Sequence, residues 1–276
     1  MSAASPSSPS SSLSSLPSSL PASLSVEMRG NVALLQLCRA QKRNALDDAT
    51  VLGIETFFAS LPAEARVVVL HADGDHFSAG LDLSELGETS TFEGVAHSAM
   101  WHRVFAQIEF ARVPVVAVLK GAVIGGGLEL AAAAHIRVAE HSSFYAFPEG
   151  QRGIFVGGGG SVRVSRLIGA HRVADLMLTG RVLSAADAHG LGLSHYLVDD
   201  GSGLTKALEL AAAIGANSPV TNFAIIQALP RIAESNGATG YLIESLMSAI
   251  SQGSDEAKAR MRAFLDGSAA RVGAPE

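Results

Sequence analysis

Residues 121–133 read GAVIGGGLELAAA: three adjacent glycines open an alanine-rich helical run that carries one acid, Glu129, among apolar neighbours. A first-turn acid is ordinarily stabilised by the positive end of its helix. Here Leu128, Leu130 and the alanines at 131–133 leave it no wet face. The first N–H groups of a helix have no internal partner, and glycine lets a ligand oxygen approach them without a side chain in the way. Three familiar glycine devices fail on residue identity. A dinucleotide fingerprint lacks its third glycine within LELAA, no lysine follows the glycines as a phosphate loop requires, and Ser161 does not sit in G-x-S-x-G. A site for a developing oxyanion survives, and such a site needs a second donor.

Working outward, residues 115–119 (VVAVL) form a strand ahead of this stretch, with Pro114 at its start where no ladder hydrogen is lost. Residues 32–38 and 67–71 are two further apolar strands, with a helix between them from Asp47 or Asp48 through Phe58. Helical spacing at Trp101, Val104, Phe105 and Ile108 marks the approach to Ala111, and short strands are expected at 135–138, 144–147 and 195–198. Residues 157–160, four glycines, read as a tight turn feeding a helix rather than a ligand cradle. Ser184 to Asp187 resembles a capping box with Asp in place of Glu or Gln. From Leu204 to Leu265 helices follow one another, with breaks expected at Pro219, Pro230, Gly237 and Gly253. Strands alternating with helices, then helices alone, predict an α/β parallel-sheet core with a helical C-terminal extension.

Composition sets the bounds. Residues 1–25 are mostly Ser, Pro, Ala and Leu without charge or aromatic side chains, and are expected to be a disordered tail. They lack the basic start of a secretory signal and the arginines of a mitochondrial one. The rest of the 276-residue chain divides into an α/β core at 26–200 and a helical region at 201–276. A net charge of −6 carries no nucleic-acid footprint, and no apolar run is long enough for a bilayer. The lone Cys38 excludes an internal disulfide, and neither it nor the nine histidines show metal-ligand spacing. A cytoplasmic location is the simplest expectation.

A second glycine-bearing turn, HFSAGLDL (76–83), follows the strand at 67–71, and with it the chain resembles the crotonase superfamily. KRNAL (42–46), HFSAGLDL, GAVIGGGLELA (121–131) and FPEGQRGIFVGGGG (147–160) stand in that family's order and spacing, over a match from about Val26 to Leu265. The resemblance implies a ββα spiral core. It implies that the backbone N–H groups of Leu81 and Gly126, the latter after Gly125, hold a thioester oxygen. It further implies that Glu129 activates water and that Glu149 exchanges the Cα proton. Lys42, Arg43 and Ala45 would lie on the nucleotide side of an acyl-coenzyme A substrate, and Ala79, Asp82 and Leu83 along its pantetheine. Trp101 and Phe105, on one helix face at i, i+4, would contribute to the acyl pocket.

No separate cofactor is implied, coenzyme A being part of the substrate, and the usual assembly in the family is a homotrimer or a dimer of trimers. The activity implied is enoyl-CoA hydration. Within the superfamily, isomerase, hydrolase and non-catalytic acyl-CoA-binding readings stay open, although both glutamates favour water addition. The segments at 153–169, 176–182 and 218–234 look most like the methylthioacryloyl-CoA hydratase branch, including Val156 where a proline is usual.

Overall fold

The computed structural model describes residues 20–268 except 86, 88 and 89. The chain runs β1 (Leu24–Arg29), β2 (Val32–Leu37), α1 (Asp48–Ala59), β3 (Val67–Ala72), α2 (Thr91–Glu109), β4 (Val115–Leu119), β5 (Ala122–Ile124), α3 (Gly126–Ala133), β6 (Ile136–Glu140) and β7 (Phe144–Ala146). It continues with α4 (Gly160–Ile168), α5 (Ala170–Thr179), β8 (Leu183–Ser184), α6 (Ala185–Leu191), β9 (Tyr196–Val198), α7 (Gly203–Gly215), α8 (Pro219–Glu234), α9 (Gly237–Gly253) and α10 (Asp255–Leu265).

A six-stranded sheet, in the order β1-β2-β3-β4-β6-β9, is parallel except for the antiparallel β1–β2 hairpin at its edge. A smaller sheet joins β5, β7 and β8. Strands buried on both faces read as unbroken apolar runs, and β3 shows why. Val68 and Leu70 face one core with Phe57 and Phe105, whereas Val67 and Val69 face another with Ala207 and Ala211 of α7. This two-sided cover defines an α/β fold with a helical C-terminal region.

Four expectations need correction. The first strand begins at Leu24, inside the stretch expected as a tail. Leu24 is buried and pairs with Leu37, because the alternating residues of β1 cover the sheet edge; residues 1–19 lie outside the described residues. The division at residue 200 cuts through the core, since the alanines of α7 close the second face of the main sheet. Pro230 does not break a helix but lies within α8. Ser184 does cap α6, accepting the N–H of Asp187, but the Asp187 carboxylate bonds the serine hydroxyl at 2.7 Å, its short side chain serving the hydroxyl rather than closing the box. A full capping box stands instead at the start of α2, between Ser90 and Glu93.

No helix among the described residues is long and apolar enough to cross a membrane.

The carboxyl ends of β3 and β4 lead into the two glycine turns. In parallel sheets such strand ends are where ligands bind.

Candidate active site

The turn after β3 is pinned from both sides. The N–H of Ala79 reaches Arg43 O at 2.9 Å, the N–H of Leu46 reaches Gly80 O, and the N–H of Asp82 reaches Leu46 O, both at 2.8 Å. Opposite them, Ser78 bridges Val123 of β5. Alternation along this extended segment turns the N–H of Leu81 away from residues 43–46, and it finds no backbone acceptor among the described residues. Gly80 is required at this corner. Its φ is +89°, and a Cβ there would stand 2.6 Å from Ile124 O and 3.2 Å from Gly126 N.

Gly126 opens α3, and its N–H likewise has no backbone acceptor among the described residues. A Cβ on Gly126 would come within 2.8 Å of the Trp101 ring and 3.4 Å of Leu81 N, so the two amide nitrogens are near neighbours. Both residues line one cavity of about 580 Å³ together with Gly125, Glu129 and Glu149. That size suits a small-molecule site.

The two acids occupy contrasting surroundings. Glu129, on α3, is 3% exposed, and its Oε1 accepts the N–H groups of Gly158 at 2.8 Å and Gly160 at 2.7 Å. Burial pushes its carboxyl above the ordinary range, while these two amides and the charge of Arg163 pull it back. Glu149 starts a short 3-10 turn after Pro148 and is 7% exposed. Its Oε2 is buried with no hydrogen-bond partner among the described residues, and Gly125 leaves space for Oε1, which a Cβ there would meet at 2.6 Å. Burial raises its pKa to about 7, with the Glu129 charge adding to the rise and its own N–H and Arg152 opposing it. Burial raises both carboxyls above the ordinary range, and at Glu129 the N–H groups of Gly160 and Gly158 oppose that rise.

The residues expected along coenzyme A also gather. Lys42, Arg43, Ala45, Ala79, Asp82 and Leu83 line a groove of about 370 Å³ that shares Ala79, Leu81, Leu83 and Arg152 with the larger cavity. The Asp82 side chain has an internal task there. It accepts from Arg39 at 2.7 Å, Lys42 at 3.0 Å and the Ser84 hydroxyl at 2.6 Å, which together hold it well below the usual carboxylate range. It therefore staples the 39–42 turn to the 82–84 turn, and Lys42 is already paired. Asn44 reinforces the same corner by donating to Asp73 O and His76 O.

Trp101 lines the larger cavity, but Phe105 does not. One turn further along α2, Phe105 is wholly buried and packs edge-on behind the tryptophan with ring centroids 5.4 Å apart.

Gly158 and Gly160 are the contributors that reading the chain missed. The run at 157–160 does feed α4, but it also cradles the Glu129 carboxylate, and a buried acid on an all-apolar helix was the available sign that donors had to come from elsewhere.

Comparison with known proteins identifies the family. The sequence profile of a family described as enoyl-CoA hydratase/isomerase matches residues 27–271. The short-chain-enoyl-CoA hydratase of Clostridium acetobutylicum is 30% identical over 244 residues, covering 87% of this chain and 94% of that protein. A crystal structure from Rhodopseudomonas palustris, named as a candidate enoyl-CoA hydratase, superposes with a TM-score of 0.87 at 58% identity, over 89% of this chain and 95% of that one. An enoyl-CoA hydratase structure from Bacillus anthracis gives a TM-score of 0.84 at 28% identity, over 89% and 96%. The chain belongs to the enoyl-CoA hydratase/isomerase family of the crotonase superfamily.

Proposed function

We propose that this protein hydrates the α,β double bond of an acyl-CoA thioester. One observation carries the reading: two amides with no backbone acceptor among the described residues and two buried carboxyls line the same cavity. The thioester oxygen accepts the N–H groups of Leu81 and Gly126, each stabilising the developing enolate by about 3 kcal/mol. Glu129, whose carboxylate form the N–H groups of Gly158 and Gly160 favour against burial, takes a proton from water as the hydroxyl adds to Cβ. Glu149, kept protonated by burial, gives its proton to Cα. The enolate collapses to the saturated thioester, and the proton left on Glu129 is exchanged to restore the resting pair.

The groove lined by Arg43 and Ala45 would carry the coenzyme A handle, with Ala79 and Leu83 beside the pantetheine. Asp82 would act there by holding Lys42 in place. Trp101 and the exposed Val95 and Phe155 would bound the acyl end.

Hydration of crotonyl-CoA, followed as loss of the conjugated-thioester absorbance, tests the proposal. Glu129→Ala and Glu149→Ala should each retain coenzyme A binding and lose turnover, and full activity in either removes the mechanism. A narrower reading is favoured by residues 153–169, 176–182 and 218–234 and by Val156: hydration of methylthioacryloyl-CoA followed by thiol loss and release of coenzyme A. A panel of enoyl-CoAs with free-coenzyme A release monitored beside hydration separates it from a general hydratase, an isomerase or a non-catalytic acyl-CoA binder. Tyr241, Leu242, Leu246 and Ile250 stand exposed on α9 and support assembly as a homotrimer or dimer of trimers, which light scattering reads directly.

A further inference from the structure

The amides that grip Glu129 come from four consecutive glycines, the residue type that loses most conformational freedom on being fixed. Their aim therefore has to be set by neighbours. Each donor N–H shares a rigid peptide plane with the carbonyl before it. The Gly157 carbonyl, in the plane of the Gly158 N–H, accepts the Ser98 hydroxyl of α2 at 2.6 Å. The Gly158 carbonyl, between the two donor planes, accepts Nη1 of Arg163 at 3.0 Å. Arg163 comes from the first turn of α4 and folds back over the run. Its Nε donates to Glu109 Oε2, at the end of α2, at 2.7 Å, and the two side chains are only 10% and 17% exposed. Glu109 is held in turn by Arg166 at 3.2 Å, and Arg166 also pairs with Glu234 of α8. A planar guanidinium can hold a carboxylate on one edge and a carbonyl on another, which an ammonium cannot match.

We propose that Arg163, oriented by Glu109, is a positioning residue that fixes the glycine run so that the amides of Gly158 and Gly160 stay aimed at Glu129. It touches neither substrate nor reacting atoms. This inference rests on Glu129 acting as the base that activates water. The other ionisable groups facing Glu129 are Glu149 from the 3-10 turn, Arg152 beyond it, and His97 and His102 from α2, all lining the same cavity. Those around Arg163 are Glu109, Arg166, Glu234 and, beside Gly159, His102. Losing the clamp removes both an aligned donor and a nearby positive charge from Glu129, and the two effects raise its proton affinity together.

The test measures pH profiles of kcat and KM for Arg163→Met, Arg163→Lys, Glu109→Gln and Glu129→Gln with crotonyl-CoA, with thermal melting alongside. Arg163→Met should lose roughly 10- to 100-fold in kcat with KM changed less than about twofold. Its acid limb in kcat/KM should move up by about one pH unit. Arg163→Lys keeps the charge without the fork, so the limb should return toward wild type while kcat stays low; Glu109→Gln should lower kcat in the same direction. If Arg163→Met does not fold, the Lys and Gln variants decide. Wild-type kcat and an unmoved limb in the folded variants, or a change confined to KM, overturn the inference. An inactive Glu129→Gln beside unaffected Arg163 variants overturns this inference alone, whereas a fully active Glu129→Gln overturns the functional reading and this one with it.

Discussion

Replacing Glu149 by Gln should make the protein inactive and, above neutral pH, more stable. The side chain is 7% exposed, its Oε2 has no hydrogen-bond partner among the described residues, and its pKa rises from the ordinary 4.5 to about 7. At 1.36 kcal/mol for each pH unit, the ionised carboxylate costs the folded state about 3 kcal/mol. The cavity opens to water, and screening brings this nearer to about 2 kcal/mol. The sign follows from proton binding. Below pH 4.5 folded and unfolded chains both carry the proton, and Glu and Gln are equivalent. Between pH 4.5 and about 7 the unfolded chain gives up its proton while the folded one retains it, so wild-type stability falls as pH rises. Above about 7 the gap is constant. Glu149→Gln should therefore melt about 4–8 °C above wild type near pH 8. That advantage should shrink to almost nothing near pH 4.5. Differential scanning calorimetry across this range, at fixed protein concentration, reads both ends. A gap that does not change with pH, or a variant less stable than wild type at pH 8, refutes the claim that this carboxyl is held protonated by burial.

Gly125→Ala should be folded and nearly inactive, because a methyl 2.6 Å from Glu149 Oε1 must displace that carboxyl, and φ is +51° there; the turnover loss should reach about 100-fold in a crotonyl-CoA assay, and retention of wild-type kcat would contradict it. Asp82→Ala removes the carboxylate from Lys42 and one of two carboxylates from Arg39, so stability should fall by about 2 kcal/mol in denaturant titration and KM for acyl-CoA should rise more than kcat falls. The activity of the wild-type enzyme should decline as pH rises through about 7, where Glu149 loses the proton it donates; a kcat/KM profile flat from pH 6 to 9 would contradict that role.

Much of the sheet was legible because its strands are short, apolar and buried on both faces, so 32–38, 67–71 and 115–119 stand out from any neighbour. The β1 strand was hidden by the Ser- and Pro-rich composition just before it, although alternation at Leu24, Val26 and Met28 is visible once Leu37 supplies a partner. The three residues of β5 are too few for a periodic signal and exist because β7 lies alongside. Glu129 was conspicuous as a lone acid in an apolar helix. Glu149 was not, being an ordinary post-proline turn residue that only the spacing of four motifs singled out. The roles of Asp82 and Phe105 depended on what lies across the fold. Asp82 meets Arg39 and Lys42 from a turn some forty residues earlier, and Phe105 is screened from the cavity by the tryptophan one turn before it on the same helix. The Glu129 cradle was obscured for a similar reason, since glycines that serve a turn and glycines that serve a carboxylate are identical in sequence.

The most direct measurement is a crystal structure of the protein with an acyl-CoA whose thioester carbonyl mimics the enolate, such as acetoacetyl-CoA. The account predicts the thioester oxygen about 3 Å from both Leu81 N and Gly126 N, with Glu129 and Glu149 on either side of the adjoining carbons. A thioester oxygen bound away from that pair of amides, or a ligand whose reacting carbons face neither carboxyl, would contradict it.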